Sequence, residues 1–108
     1  GVIISNHGGR QVDVGQATID SLKTILPVYK NKITLMMDSG IRGGADVARV
    51  MATGADFSFM GRTFMYGVSA LGKNGGNHTI SMLKKQLMQV MEQLSCGEIS
   101  QLKEKLIK

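Results

Sequence analysis

Gly1-Val2-Ile3-Ile4-Ser5-Asn6-His7-Gly8-Gly9-Arg10-Gln11 opens the chain, and its reading decides the fold. Residues 1–6 are predicted to form a strand. Their apolar run does not alternate with polar residues, the pattern of a strand buried on both faces of a parallel sheet. Glycines follow at once, and glycine lets backbone and ligand come close. Histidine exchanges a proton near neutral pH. Arginine grips a carboxylate through two parallel hydrogen bonds. His7 and Arg10, within one glycine turn at a strand end, predict a site that holds a carboxylic acid and takes a proton from it.

The same design recurs downstream. Ile33–Met37 reads as a second strand, ending at Asp38-Ser39-Gly40-Ile41-Arg42-Gly43-Gly44. Phe57–Met60 reads as a third, ending at Gly61-Arg62. Ile19, Leu22, Ile25 and Leu26 give one apolar face to a helix over Gln16–Tyr29, which Pro27 is expected to bend or end early. Gly43-Gly44 opens a helix carrying Val47, Val50 and Met51, with Gly54 as its C-cap. A third helix is predicted over Thr63–Leu71, then a loop over Lys73–Asn77. A long amphipathic helix follows over Thr79–Leu94, broken at Gly97 before a short last helix.

Strand followed by helix, three times over, means α/β with a parallel sheet, and ligands then sit at the C-terminal strand ends. Three parallel strands alone leave two unpaired edges. A closed barrel of such units takes eight strands and roughly 250 residues. The expected architecture is therefore the last three βα units of a TIM (β/α)8 barrel plus C-terminal helices. Residues 1–108 would be the C-terminal segment of a single barrel domain.

The second and third strand ends suit an anion. Gly40, Gly43 and Gly44 present backbone N–H groups before a helix, where phosphate binds readily. Arg42 adds a fixed positive charge, and Asp38 can accept from ligand hydroxyls. An ordinary βα turn with an exposed arginine explains this segment equally well by itself. Gly61-Arg62 is weak alone, but phosphate sites of (β/α) barrels are often built from the loops after strands seven and eight.

Composition narrows the classes. With 43% hydrophobic residues the chain can build a core. Its net charge of +5 concentrates in the second half, at Lys84, Lys85, Lys103, Lys105 and Lys108. Solvated helix faces explain these lysines best, and an anionic membrane surface is the alternative. No basic run is interleaved with aromatics, which argues against nucleic acid. Cys96 is the sole cysteine, so no intrachain disulfide forms and a reducing, cytoplasmic compartment is expected. Its apolar neighbours predict burial. His78, without a partner motif, is expected at the surface. No His, Cys or carboxylate spacing resembles a metal site.

Ser5-Asn6-His7-Gly8-Gly9-Arg10-Gln11, Asp38-Ser39-Gly40-Ile41-Arg42 and Gly61-Arg62, in this order, resemble the C-terminal third of the FMN-dependent α-hydroxy-acid oxidases and dehydrogenases. Glycolate oxidase, lactate oxidase and L-lactate dehydrogenase belong to that family. The resemblance implies oxidation of an L-2-hydroxy acid to a 2-oxo acid with FMN as cofactor. It implies His7 as the active-site base and Arg10 as the ligand of the substrate carboxylate. Ser5 would lie near the flavin and Asp38 would bond the ribityl chain. Gly40, Arg42, Gly61 and Arg62 would surround the phosphate, with Ser39 adding backbone contacts. Many members carry glycine at the place of Ser39, and serine is common in lactate- and mandelate-type members, which points to a lactate-like substrate. A homo-oligomer is implied too. The family's flavin-binding lysine, substrate tyrosines and the aspartate that orients the histidine have no counterpart in this segment, so the segment alone is expected to be inactive.

Overall fold

The computed structural model describes residues 1–107. Three strands, β1 (Val2–Ile4), β2 (Leu35–Met37) and β3 (Phe57–Ser58), form a parallel sheet in the order β1-β2-β3. Val2 pairs with Leu35 and Ile4 with Met37; Met36 pairs with Phe57 and Met37 with Ser58. Helices α1 (Thr18–Tyr29), α2 (Gly44–Thr53) and α3 (Arg62–Leu71) follow the strands in turn, and α4 (Gly75–Gln93) follows α3. A short 3₁₀ turn, Ile99–Lys105, closes the chain. Each strand lies beside its neighbour in sequence, the wiring of successive βα units.

One face of the sheet builds the core. Ile4, Leu35 and Met37 pack with Leu22, Ile41, Val50 and Ala55, closing α1 and α2 onto the strands. A second cluster joins Ala48, Ala52, Cys96 and Leu102, so α2 is sandwiched between the sheet and the C-terminal segment. Cys96 is buried as its apolar neighbours implied, and His78 is exposed.

The other face is bare, which corrects the expectation of strands buried on both sides. Ile3 is 47% exposed, Phe57 54% and Phe59 40%, because nothing among the described residues covers them. The Phe57 and Phe59 rings pack against each other at 5.0 Å. The accessible surface is 7564 Å², against about 5,800 Å² for a compact monomer of this mass. In a closed barrel this bare face is the interior.

The elements depart from the sequence reading at their ends. All three strands are shorter than predicted. Past Ile4 the chain turns away, and the Asn6 N–H bonds the Ser39 side chain instead of a strand. Helix α1 starts at Thr18 rather than Gln16 and runs through Pro27 to Tyr29. Pro27 sits on the exposed side, where water can satisfy the carbonyl that loses its donor. The predicted loop over Lys73–Asn77 is a 3₁₀ turn, Gly72–Asn74, running directly into α4. A Cβ at Gly75 would meet the Gly67 backbone, so this glycine, which read as loop, is a helix crossing point. Helix α3 starts one residue earlier than expected, at Arg62.

Asp56 ties the frame together. Its Oδ2 accepts the Leu35 N–H at 2.8 Å and its Oδ1 meets Lys30 Nζ, which also donates to the Gly54 carbonyl at 2.9 Å. The Lys30 hydrogen bond, then the Leu35 N–H, hold the Asp56 carboxyl below its usual 3.8 against a small desolvation cost. A carboxyl lowered by folding binds its proton more tightly in the unfolded chain. Its stabilisation is therefore complete above the ordinary carboxylate range and is lost as pH falls through and below it. Asp56→Asn is expected to lower the melting temperature at pH 6 and to approach the wild type near pH 3. An unchanged gap at the two pH values would remove Asp56 as a source of acid sensitivity.

Candidate functional site

All three strand ends open on one cleft of about 380 Å³, within the range of ligand sites. Ser5, His7 and Arg10 reach it from the loop after β1, Asp38, Ser39, Gly40 and Arg42 from the loop after β2, and Gly61 and Arg62 from the end of β3. The nine residues singled out in the sequence therefore share one wall. Ile41, Phe59, Met60 and Met65, which sequence reasoning did not assign, supply its apolar lining. Gln11 and Asp13 are exposed and lie outside it.

The histidine loop is held in an unusual shape. His7, Gly8 and Gly9 have φ of 54°, 67° and 74°. Three successive left-handed residues turn the chain sharply, and glycine makes two of them inexpensive. A Cβ at Gly8 would stand 2.8 Å from the Arg62 guanidinium, which donates from Nη2 to the Gly8 carbonyl at 2.8 Å. The His7 N–H donates to Ser5 Oγ at 3.1 Å, so the Ser5 hydroxyl braces the loop.

Ser39 is the hub. Its hydroxyl donates to Asp38 Oδ1 at 2.6 Å and accepts from the N–H groups of Asn6 at 3.3 Å and Gly8 at 3.2 Å. The side chain thus ties the first loop to the second, where the family resemblance implied backbone contacts alone. Ser39 is itself left-handed, with φ of 73°. Among the described residues four that are not glycine have positive φ, and two of them, His7 and Ser39, lie in this cleft, as strain collects where geometry must be exact for function. Ser39→Ala is expected to destabilise the fold by about 1–2 kcal/mol, from two N–H groups losing their acceptor. Ser39→Gly loses the same bonds but relieves the left-handed backbone, so it should be milder by about 1 kcal/mol. Urea unfolding of the two variants measures the difference, and equal losses would count against the strain.

Helix α2 begins under the second loop. Asp46 Oδ2 accepts the N–H groups of Arg42 at 3.1 Å and Gly43 at 3.2 Å, and Asp46 Oδ1 pairs with Arg49. Gly44 N–H donates to Gln86 Oε1 of α4 at 2.9 Å. Thr63 Oγ1 of α3 donates to the Arg42 carbonyl at 3.2 Å. None of these three supports was assigned from sequence. Asp46 could have been found, since an acid three residues past a helix start commonly caps it. Gln86 lies 42 residues from Gly44 and carried no local signal.

Electrostatically the cleft is cationic. Arg10, Arg42 and Arg62 form no ion pair among the described residues. Asp38 is the one carboxylate in the lining. Such a wall suits two anionic groups, with Asp38 free to accept from hydroxyls.

Comparison with known proteins places the chain in a family. Residues 1–108 match the family model described as FMN-dependent dehydrogenase. The chain belongs to this family. It is 38% identical over 107 residues to L-lactate dehydrogenase of Alcaligenes faecalis, covering 99% of this chain and 28% of that protein. It is 36% identical over 107 residues to 2-hydroxyacid oxidase 2 of Rattus norvegicus, covering 99% of this chain and 30% of that protein. Among solved structures, a flavocytochrome b2 variant with benzoylformate matches with a TM-score of 0.88 at 36% identity, over 94% of this chain and 28% of that one. A soluble mutant of the membrane-associated (S)-mandelate dehydrogenase from Pseudomonas putida matches with a TM-score of 0.85 at 33% identity, over 93% of this chain and 28% of that one. The chain thus spans less than a third of the length of these relatives, and it is a three-unit piece of their (β/α)8 architecture.

The family uses FMN, and the cleft fits its polar end. A Cβ placed on Gly40 or Gly61 would have no heavy atom within 4 Å, so their backbone stands open to a ligand. Arg42 and Arg62 line the same cleft with Asp38, supplying cations of the kind a phosphate requires and an acceptor of the kind a polyol requires. No group of His, Cys, Asp and Glu that could hold a metal occurs among the described residues. No helix among them is long and apolar enough to cross a membrane.

Proposed function

We propose that this chain supplies part of the active site of an FMN-dependent enzyme that oxidises L-2-hydroxy acids, lactate-like ones first, to 2-oxo acids. The observation that carries the reading is the convergence of His7, Arg10 and the two further arginines on one cleft. In this proposal Arg10 binds the substrate carboxylate and fixes which face of the α-carbon is presented. His7 accepts a proton from the substrate as it is oxidised. FMN, when bound, accepts the two electrons. Arg42, Arg62, Gly40 and Gly61 hold its phosphate, Asp38 its ribityl hydroxyls, and Ser5 and Ser39 keep the loops in register. The lactate-like preference draws support from the Alcaligenes faecalis L-lactate dehydrogenase, a protein so named at 38% identity.

The bare sheet face supports a second element of the proposal. Ile3, Phe57 and Phe59 need further strands against them, so the 108-residue chain by itself is inactive and the working unit is a complete barrel. The test is anaerobic mixing of the complete FMN-loaded protein with L-lactate, L-mandelate and glycolate. Bleaching of the flavin band with formation of the matching 2-oxo acid is the expected result. A protein that binds FMN and leaves it oxidised with every 2-hydroxy acid would overturn the reaction. Stoichiometric FMN and turnover in the 108-residue chain would overturn the need for further strands.

A further inference from the structure

We infer that Gln86, on the C-terminal helix α4, is a positioning residue for the loop that receives the FMN phosphate; this rests on the reading of the cleft proposed above. Gln86 is not in the cleft lining, so it acts through what it holds. The first N–H groups of any helix lack partners within the helix. At the start of α2 the N–H of its first residue, Gly44, goes to Gln86 Oε1 at 2.9 Å, while Asp46 takes those of Arg42 and Gly43 just before the helix. The start of α2 is thereby fixed to a helix that otherwise has no part in the site.

Packing reinforces the bond. A Cβ at Gly44 would collide with the backbone of Gln86 and Leu87, so α4 lies directly against the first turn of α2. A Cβ at Gly43 would stand 3.1 Å from Gln86 Oε1. The amide therefore sits wedged between the two glycines that lead out of Arg42. Thr63 Oγ1 holds the Arg42 carbonyl from α3. Three helices thus hold the backbone around Arg42.

The consequence is specific to the phosphate. If Gln86 positions the phosphate loop, its loss weakens ligands that carry the phosphate and spares those that lack it. The test is titration of the complete apoprotein with FMN and with riboflavin, following quenching of flavin fluorescence. Gln86→Ala is expected to raise the Kd for FMN up to about tenfold, the scale of one hydrogen bond between neutral groups, with riboflavin affinity unchanged. Gln86→Glu keeps an acceptor oxygen and is expected to recover most of the FMN affinity. Equal weakening of FMN and riboflavin would mean a merely structural role and would overturn the inference, as would Glu performing no better than Ala. A wild-type protein with no preference for FMN over riboflavin would instead sink the phosphate site itself. Where Gln86→Ala fails to fold, Gln86→Glu and Gln86→Met carry the same comparison, Met keeping the packing and losing the acceptor.

Discussion

His7→Asn in the complete flavoenzyme is expected to lower kcat for a 2-hydroxy acid by about 10²–10⁴-fold, the range of positioned general-base catalysis. FMN content should stay the same. Asparagine is the informative replacement because the backbone at this position is left-handed, with φ of 54°. Asparagine tolerates that region better than most residues that carry a side chain, so the Ser5 brace and the Gly8–Arg62 contact survive. What is lost is the imidazole, the proposed proton acceptor. Because the defect lies in the reacting complex, KM should move little while kcat and kcat/KM fall together. Stopped-flow reduction of the flavin reads the chemical step directly. A reduction rate within about tenfold of wild type, below the range of base catalysis, would mean that another group takes the proton.

This prediction shows how far the sequence could be read. The predicted strands over residues 1–6, Ile33–Met37 and Phe57–Met60, each with a glycine-bearing exit and a helix behind it, pointed to the parallel order that the sheet shows. The cleft followed from the same rule: consecutive parallel strands bring their C-terminal ends together, so residues as far apart as Ser5 and Arg62 share a wall. The supports of the site were hidden for opposite reasons. Ser39 was visible, but its hydroxyl bonds span 31 and 33 residues, and a serine after an aspartate carries no sign of them. Gln86 looked like one more polar residue on a solvated helix. Gly75 and Gly76 read as loop because glycine is a poor helix former; at Gly75 the close approach to Gly67, invisible in one dimension, reverses that preference. Burial of both strand faces was misjudged for this chain because the pattern reports the sheet in its full surroundings, and these residues contain only one covering layer.

Arg10 carries the second large effect. Among the described residues it has no acidic partner, and it stands at the end of the His7–Gly9 turn on the cleft wall. An exposed guanidinium left unpaired beside a base is poised for a ligand carboxylate, and its planar fork fixes orientation as well as charge. Arg10→Lys keeps the charge and loses the fork. It is expected to lower kcat/KM by about 10²-fold, since a small misplacement of the reacting carbon is costly. Arg10→Met loses both and should fall by a further factor of about ten, one charge-assisted hydrogen bond's worth. The decisive comparison is between a 2-hydroxy acid and its amide. Wild-type enzyme should strongly prefer the acid, and Arg10→Met should turn over the two at similar rates. Retention of the full preference in Arg10→Met would move the carboxylate to Arg42 or Arg62. The phosphate would then need other donors, and the division of labour among the three arginines would have to be redrawn. That outcome is also separable from a folding defect, because a misfolded loop would release Gly8 from Arg62 and lower FMN affinity, whereas a substrate-binding arginine leaves it unchanged.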